Sequence, residues 1–487
     1  MKHNLFRSAA VVATVLMGLI GFEAQATWVY DSGAGTLSDG NYSFPVRLQT
    51  GTTGNKALTD PATGELVSGL NITGVPTTGS GDLDFTSVEA DTGYKVIEIG
   101  AIQVVNSITD CKKVTAPDVM KLDRQTFGNN TAIEELVISD KITSFPWNCF
   151  SGASNLKKIT PTEFPYVTEQ TNQQSFKDMK SLEGELSFPN LVKVASGAFQ
   201  GCTGLTKVSM PRVQVIGGDG VFKGSGLTGD LEYPELTSIG SDAFRGVVGM
   251  TSFAAPKLEV IGSYAFQSCT GMTNFIAMAV TNVGASAFNS CSAVTKIRLG
   301  PDCAVNYGNN VYNGCSNLVD LEPWPSLRDI ENNLKDPLLA CTSLTGAIEV
   351  TSSGEISSLA QYWMRDLYCV TSVTIRAKQV VSVSAGAMRY LGKNMGSVAV
   401  IYWNTEKAPT SFNTSYGTFE HGSSGWNRII VRNDIEGWKA LSSFVDASTL
   451  AAKDSTNRVD WPGKKTIGKV GNVWLVEASP SFCIRIQ

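Results

Sequence analysis

Histidine is almost absent from this chain. Only 2 of its 487 residues are histidine, and one of them is His3 at the N-terminus. A serine–histidine–aspartate or cysteine–histidine site would depend on His421 alone, and a metal site built from several histidines is excluded. His421 stands beside Gly422, Ser423 and Ser424, a sequence typical of an exposed loop. The chain therefore offers little material for catalysis, and we predict no catalytic residue.

Charged residues are also scarce. They make up 17% of the chain, and the net charge is −5. A nucleic-acid-binding protein needs a dense positive field to displace counterions, which this balance does not supply. The sequence contains no Gly-x-x-x-x-Gly-Lys-Ser/Thr string and no calcium-loop pattern. We therefore expect no nucleic-acid partner, no cofactor and no bound metal.

Long apolar runs are absent except at the N-terminus. Lys2 and Arg7 precede the apolar residues 9–22, and a small-residue cleavage pattern follows at 24–26. This order is typical of a secretory signal peptide, and the run is too short to span a bilayer comfortably. We predict that residues 1–26 are a signal peptide and that the chain has no membrane span. The expected location is extracytoplasmic: secreted or on the cell surface, with the periplasm as an alternative.

What the sequence does contain is a large apolar anchor that returns at nearly fixed intervals. Intervals of 22 to 26 residues separate Phe127, Phe150, Phe176, Phe199, Phe222, Phe244, Phe266, Phe288, Tyr312, Leu338, Met364 and Met388. A period near 23 residues predicts a stacked solenoid, in which each coil contacts only its neighbours. Function in such a fold usually lies on a continuous outer surface rather than in a pocket.

Each repeat ends in a short segment that alternates apolar and polar residues. After Phe199, Leu205 and Val208 are predicted to point inward, with Lys207 and Ser209 turned to water. Proline then ends the strand because it lacks the amide needed for another ladder bond. These prolines are Pro161, Pro189, Pro211, Pro234 and Pro256.

The recurring motifs resemble those of a known family. The phrase Phe-x-Gly-Cys-x-x-Leu beginning at Phe199, the proline stop and the lead-in Val-x-Val-Ile-Gly at residues 213–217 are similar to the BspA-like leucine-rich-repeat family of bacterial surface and secreted proteins. The resemblance covers roughly residues 105–400. It implies a leucine-rich-repeat solenoid with short parallel strands and short helical or irregular segments, and extracellular binding or adhesion as the usual role.

A solenoid needs sealed ends, so we expect caps on both sides. Residues 27–104, rich in Gly, Thr and Ser, are predicted to be a β-rich N-terminal cap or small β domain. Residues 105–400 are the predicted solenoid of about twelve turns, and residues 401–487 a mixed C-terminal cap and tail. Residues 429–441 resemble a closing strand and short helix. Further strand-like stretches are residues 83–85, 96–99, 464–469 and 473–477.

The outward strand positions, eight and ten residues after each anchor, are the candidate binding surface. Their charge alternates from turn to turn, which fits either lateral pairing between neighbouring strands or a mixed-charge surface for a protein. The candidate residues are Lys207, Asp230, Glu232, Asn274, Lys296, Arg298, Asp320 and Glu322, with Trp324 and Trp426 added because loop-forming residues surround them. Asp320 and Glu322 also resemble the carboxylate pair of a glycoside hydrolase, although any solvated strand has this spacing.

Tryptophans concentrate near the C-terminus. They are Trp363, Trp403, Trp426, Trp438, Trp461 and Trp474. Large aromatic side chains predict either the apolar core of a cap or an exposed surface that stacks on sugars or anchors a protein interface.

Five cysteines follow their anchors by three residues. They are Cys202, Cys269, Cys291, Cys315 and Cys341. Stacking places their β-carbons about 4.8 Å apart, beyond the roughly 3.8 Å that a relaxed disulfide prefers. We therefore favour buried free thiols over bridges, although export usually favours disulfides. A straight row cannot converge on a tetrahedral zinc ion. The sequence leaves a disulfide bridge that involves Cys149 or Cys303 as an open alternative.

These observations predict an exported, non-catalytic binding protein. It would act like an adhesin and recognise host or bacterial surface proteins through the solenoid face, with an extracellular protein or glycoprotein as partner. The alternative is a glycan-binding protein that uses exposed C-terminal tryptophans. A glycoside hydrolase is the third hypothesis.

Overall fold

A computed structural model describes most of the chain. The described residues are 27–50, 58–77, 79–100, 110–170, 173–300, 306–322, 338–351, 354–359, 364–384, 387–388, 391, 400–413, 420–421, 425–426, 428–431, 435–441, 444–446, 465–470 and 473–477. They form a β-solenoid of about twelve turns with almost no helix, as the sequence predicts. One continuous apolar core extends from Trp28 to Leu475.

The N-terminal region is mostly β-structure. Its elements are β1 (Val29–Asp31), β2 (Thr36–Ser38), β3 (Ser43–Gln49), β4 (Leu58–Thr59), β5 (Leu66–Val67), β6 (Gly69–Ile72), β7 (Leu83–Asp84), α1 (Val88–Thr92) and β8 (Val96–Ile99). Strands β1, β2, β3 and β6 pair antiparallel, whereas β6 and β8 pair in parallel. The change from antiparallel to parallel pairing marks where the chain begins to coil.

The middle of the chain alternates a longer strand with a two-residue strand. These strands are β9 (Lys113–Ala116), β10 (Lys121–Leu122), β11 (Glu135–Ile138), β12 (Lys158–Thr160), β13 (Glu169–Gln170), β14 (Gly184–Ser187), β15 (Lys193–Val194), β16 (Leu205–Ser209), β17 (Val215–Ile216), β18 (Thr228–Glu232), β19 (Ser238–Ile239), β20 (Gly249–Ala254), β21 (Val260–Ile261), β22 (Asn274–Ala277), β23 (Asn282–Val283), β24 (Lys296–Leu299), β25 (Asn306–Tyr307) and β26 (Asp320–Glu322). Two parallel sheets dominate this part: β13-β15-β17-β19-β21-β23-β25 and β18-β20-β22-β24-β26. From β12 to β26, each coil therefore contributes one strand to each of two walls.

The C-terminal region keeps the parallel arrangement and then closes it. Its elements are β27 (Thr345–Thr351), β28 (Glu355–Leu359), β29 (Cys369–Arg376), β30 (Gln379–Val383), β31 (Val400–Trp403), β32 (Ser411–Phe412), β33 (Glu420–His421), β34 (Gly425–Trp426), β35 (Arg428–Val431), α2 (Ile435–Lys439), β36 (Phe444–Asp446), β37 (Lys465–Val470) and β38 (Val473–Glu477). The closing strand, short helix and two tail strands expected from the sequence are present. Strand β37 runs antiparallel to both β36 and β38.

The anchor residues form a single stack through the interior. Consecutive ring centroids from Phe127 to Tyr312 lie 5.1 to 5.7 Å apart, and most of the rings are nearly parallel. Leu338, Met364 and Met388 continue the row and are buried. Aromatic pairs at this separation add to the free energy gained by burial alone. The periodic spacing in the sequence is thus the spacing of one coil.

The third side of each coil turns around its anchor in a way that the sequence did not reveal. Tyr264 and Ser268, two residues before and after Phe266, have φ angles of 58° and 60°, a conformation that most side chains avoid. The backbone N–H groups of Tyr264, Phe266 and Ser268 each donate to a carbonyl of the next coil at 2.8 Å. These bonds offset the backbone strain and make the turns a third hydrogen-bonded wall.

Candidate functional site

The candidate site is the outer surface of the sheet β18-β20-β22-β24-β26, which we call the long-strand face. Its strands are in register, so that Ser252 lies beside Asn274, then Lys296, then Asp320. A second row places Ala254 beside Ile276 and then Arg298. The residues between the rows, such as Phe253 and Phe275, are buried. The face is therefore two side chains wide and as long as the stack of strands.

The C-terminal end of the long-strand face carries an ion pair between neighbouring coils. The Arg298 guanidinium donates to both carboxylate oxygens of Asp320, with 2.5 Å between Nη1 and Oδ1. The hydrogen bond from Arg298 lowers the pKa of Asp320, and the charges of Arg298 and Lys296 act in the same direction. A general acid of a glycoside hydrolase needs a raised pKa instead, so Asp320 does not suit that role.

The N-terminal end of the face is acidic. Asp230 accepts hydrogen bonds from the Ser252 and Thr251 hydroxyls of the next coil, at 2.6 and 2.7 Å. These bonds, Ser252 first, lower the pKa of Asp230. Glu232, the next outward residue of β18 after Asp230, is exposed and forms no ion pair with another described residue. Asp230 and Glu232 thus present negative charge to solvent.

Lys207 forms an ion pair with the preceding coil rather than with Asp230 of the following coil. Its ammonium lies 3.2 Å from the Glu185 carboxylate of the preceding coil. Strand β16 pairs with β14, whereas β18 begins a separate sheet. Lys207 and Asp230 are therefore not ladder neighbours, and charge pairing between them is not observed. The Arg298–Asp320 pair does show lateral pairing, one of the two alternatives that the alternating signs left open.

The centre of the long-strand face has no charge. Ile276 is 44% exposed there, although it is a large apolar side chain. Ala254 and Asn274 flank it and are half-buried. The hydroxyl of Thr273 is bonded to the carbonyl of Thr251 at 3.0 Å, which orders the margin of the face. Ile276 stands at an outward position, ten residues after Phe266, but the sequence alone gives it no role, because only the register reveals that it lies between the acidic residues of β18 and the basic residues of β24.

The other candidate residues are distributed as follows. Glu322 ends β26 beside Arg298, and Trp426 pairs with Glu420 in a hairpin; only their backbones are described. Trp324 lies outside the described residues. His421 belongs to the same hairpin, in a two-residue strand rather than the loop expected from its neighbours. Of those that the structure describes, only Glu322 lies on the long-strand face.

Two of the C-terminal tryptophans belong to the core. Trp403 and Trp438 are fully buried and pack edge to face, with their ring centroids 5.3 Å apart. They therefore cannot stack on a sugar at the surface. Of the two alternatives that the sequence left open, the cap core is correct for this pair.

The cysteines of the solenoid are free and buried. Cys202, Cys269, Cys291, Cys315 and Cys341 are unbridged, as the spacing argument predicted, and so is Cys149. The thiol of Cys341 donates to the Tyr312 carbonyl at 3.1 Å, and the other four thiols bond equivalent anchor carbonyls. Burial raises the pKa of Cys202 and of Cys341 to about 12. The thiols act as small core residues. Cys303 lies outside the described residues.

Within the part of the chain that the structure describes, no cluster of three or more His, Cys, Asp or Glu side chains is arranged to hold a metal ion. The same residues include no helix long and apolar enough to cross a membrane. The long-strand face is instead an open, ordered surface with acidic residues on β18, an uncharged centre, basic residues on β24 and acidic residues again on β26.

Such a solenoid of parallel strands on an aromatic stack defines a leucine-rich-repeat protein. The family model described as "BspA type Leucine rich repeat region (6 copies)" matches residues 84–206, 120–248 and 237–362. These matches together cover more than half of the chain, and the protein belongs to this family. The family is generally one of non-catalytic binding proteins. The comparison with curated proteins found no match.

Several solved structures match this chain at low identity. A leucine-rich repeat protein from Bacteroides ovatus ATCC 8483 is 15% identical over 81% of this chain and 95% of its own, with a TM-score of 0.38. A leucine rich cell surface protein from Faecalibacterium prausnitzii A2-165 is 16% identical over 83% of this chain and 97% of its own, with a TM-score of 0.37. The pneumococcal vaccine antigen PcpA is 13% identical over 80% and 94%, with a TM-score of 0.32. Identities and scores this low carry no functional information.

Proposed function

We propose that this protein is an exported, non-catalytic binding protein that acts like an adhesin. It recognises a protein or glycoprotein on a host or bacterial surface through the long-strand face. The N-terminal signal peptide predicted for residues 1–26 delivers it outside the cytoplasm, where it is secreted or held on the cell surface.

The observation that carries this proposal is the exposed Ile276 at the centre of an ordered, mixed-charge face. Ile276 is a large apolar side chain that is 44% exposed, so covering it with a partner is favourable because apolar surface is removed from water. Protein interfaces combine an apolar centre with a charged or polar rim. Asp230 and Glu232 on one side and Lys296 and Arg298 on the other supply such a rim. Membership of the BspA-type family supports a binding role at a surface.

A solid-phase binding panel tests the proposal. The full chain, expressed with its own N-terminus, is applied to extracellular-matrix proteins, mucin and whole bacterial cells. We expect saturable binding to at least one of them. Loss of binding in Ile276→Asp, with binding retained in Val260→Asp, assigns it to the long-strand face. Val260 is a matched control, because it is 39% exposed on the short-strand sheet that contains β21.

Two results would count against the proposal. Absence of binding across the whole panel removes the adhesin-like role. Equal binding by the wild type and Ile276→Asp moves the function away from the long-strand face. Fractionation of cells that express the chain tests the export step separately, since recovery only from the cytoplasm contradicts it.

A further inference from the structure

The charges along the face have a simple symmetry: residues at equal distances from the centre of the row carry opposite charges or are both uncharged. The first outward row, from β16 to β26, reads Lys207, Asp230, Ser252, Asn274, Lys296 and Asp320. Strand β16 is included because its coil stacks on that of β18, with the Phe199 and Phe222 rings 5.3 Å apart. Read backwards, the row places an acid wherever the forward row has a base, and a base wherever it has an acid.

This pattern fits a particular two-fold rotation. A two-fold axis that runs along the strands, between β20 and β22, inverts the order of the coils and keeps the direction of the strands. It lays Asp230 over Lys296 of a second copy and Lys207 over Asp320 of that copy. The uncharged Ser252 and Asn274 then face each other. Every charged position of the row meets the opposite sign.

The second row is compatible with the same rotation, under which the terminal Glu322 faces the uncharged Ser209 of the second copy. Glu232 faces Arg298 of the second copy, which is again an opposite charge. Ile276, 44% exposed, faces Ala254 of the second copy, so a large apolar side chain meets a small one. Complementary volume of this kind lets two sheet surfaces pack closely. Within the described residues neither Glu232 nor Lys296 forms an ion pair of its own, so both charges are available to a partner.

The other face-to-face rotation is unfavourable. An axis along the solenoid keeps the order of the coils and reverses the strands, so each strand faces its own copy. Asp230 then meets Glu232 of the copy, and Lys296 meets Arg298. Like charges placed opposite each other destabilise a sheet interface. Of these two rotations, the charge pattern therefore favours the one that reverses the coil order of the two copies.

We propose that the long-strand face, extended to Lys207 on β16, binds a second copy of this chain in that reversed arrangement. The inference rests on the proposed function, because both use the long-strand face. It names a second copy of the chain as one partner for that face. Six strands about 4.8 Å apart and about 12 Å of width give on the order of 350 Å² per copy, below the ~800 Å² of a standard stable interface. The association is therefore weak and salt-sensitive, and many copies on one surface would strengthen it.

Charge reversal gives a decisive test. In Asp230→Lys, both symmetry-related contacts of a dimer become Lys against Lys296; in Lys296→Asp, both become Asp against Asp230. Mixing the two variants restores opposite charges at both contacts. Sedimentation velocity of the full-length chain at increasing concentration is expected to show a wild-type dimer. Each variant alone should dissociate about tenfold more readily, and an equimolar mixture should recover the wild-type constant.

Folding defects cannot imitate this result, because a misfolded variant is not rescued by mixing with another. Ile276→Asp should also weaken the dimer, whereas the matched control Val260→Asp should not. A wild-type chain that remains monomeric at all concentrations overturns the inference, as does a dimer that both charge reversals leave intact or that mixing fails to restore.

The same variants separate this inference from the proposed function. A monomeric chain that still binds matrix protein, mucin or cells through the long-strand face retains the proposed function and loses the second-copy partner. A chain that dimerises as described but binds nothing in the panel keeps the second copy as its partner and loses the host or bacterial one.

Discussion

The buried spine and the long-strand face pass through the same coils, yet one repeats and the other varies. Phe244, Phe266 and Phe288 occupy equivalent places with nearly identical spacing and parallel rings. The outward residues of those coils are serine and alanine, then asparagine and isoleucine, then lysine and arginine. The repeat thus fixes the fold, and we expect recognition to depend on the outward positions that the repeat leaves free.

The largest expected effect comes from breaking the spine. Phe266→Ala removes a fully buried ring that stacks on both neighbours, at centroid distances of 5.4 Å. We expect it to lower the free energy of unfolding by about 3–5 kcal/mol. Chemical denaturation measures the change. Val260→Ala, a truncation at an exposed position of the same region, should change stability by less than about 0.5 kcal/mol. Equal effects of the two changes would contradict the spine.

A second test breaks the contact between coils without touching the spine. A Cβ at Gly262 would lie 2.5 Å from the carbonyl carbon of Gly240 in the preceding coil, so Gly262→Ala forces two backbones apart. We expect a loss of about 2–3 kcal/mol. Gly246→Ala is the matched control. Its φ is 72° but its Cβ would meet nothing within 4 Å, so only backbone strain of about 1 kcal/mol remains. Thermal unfolding measures the loss of stability in both variants, and we expect the larger loss in Gly262→Ala. A larger loss in Gly246→Ala would contradict the close contact between the backbones of Gly262 and Gly240.

The face should tolerate what the interior does not. Asp320→Asn breaks the ion pair with Arg298, but the Asp320 side chain is 42% exposed, so we expect a loss below about 1 kcal/mol. Because folding lowers the pKa of Asp320, the pair stabilises the protein above the ordinary value of 3.8 and loses this contribution as the pH falls through the lowered pKa. The wild type and Asp320→Asn should therefore differ at pH 7 and converge in strong acid. A difference that grows in acid would have the wrong sign.

The smallest expected effect concerns the buried thiols, which should not react in the folded protein. Cys202 and Cys341 are buried, and their raised pKa leaves almost no thiolate at pH 8. Iodoacetamide followed by peptide mapping should leave them unlabelled in the native protein and label them after unfolding. Rapid labelling of either cysteine without unfolding would show that the coil is open at that position.

Much of the interior was predictable from the sequence, because a solenoid repeats the same packing problem in each coil. The anchors, the proline stops and the free thiols followed from spacing alone. The predicted domain boundaries at 104/105 and 400/401 stay predictions. The ion pairs were only partly predictable, since Lys207 turns to Glu185 where two sheets separate, and a break between sheets leaves no periodic signal. The left-handed turns at Tyr264 and Ser268 depend on hydrogen bonds between coils, which no local pattern contains.

We expect stability to depend on the buried spine and binding to depend on the long-strand face, and one paired measurement tests this. Phe266→Leu and Ile276→Asp are compared for thermal midpoint and, at a temperature where both are folded, for binding to the matrix proteins, mucin and cells that the wild type recognises. We predict that Phe266→Leu lowers the midpoint and keeps the binding, whereas Ile276→Asp keeps the midpoint nearly unchanged and loses the binding. If Ile276→Asp binds as well as the wild type, or if Phe266→Leu loses binding while folded, the division between spine and face is wrong.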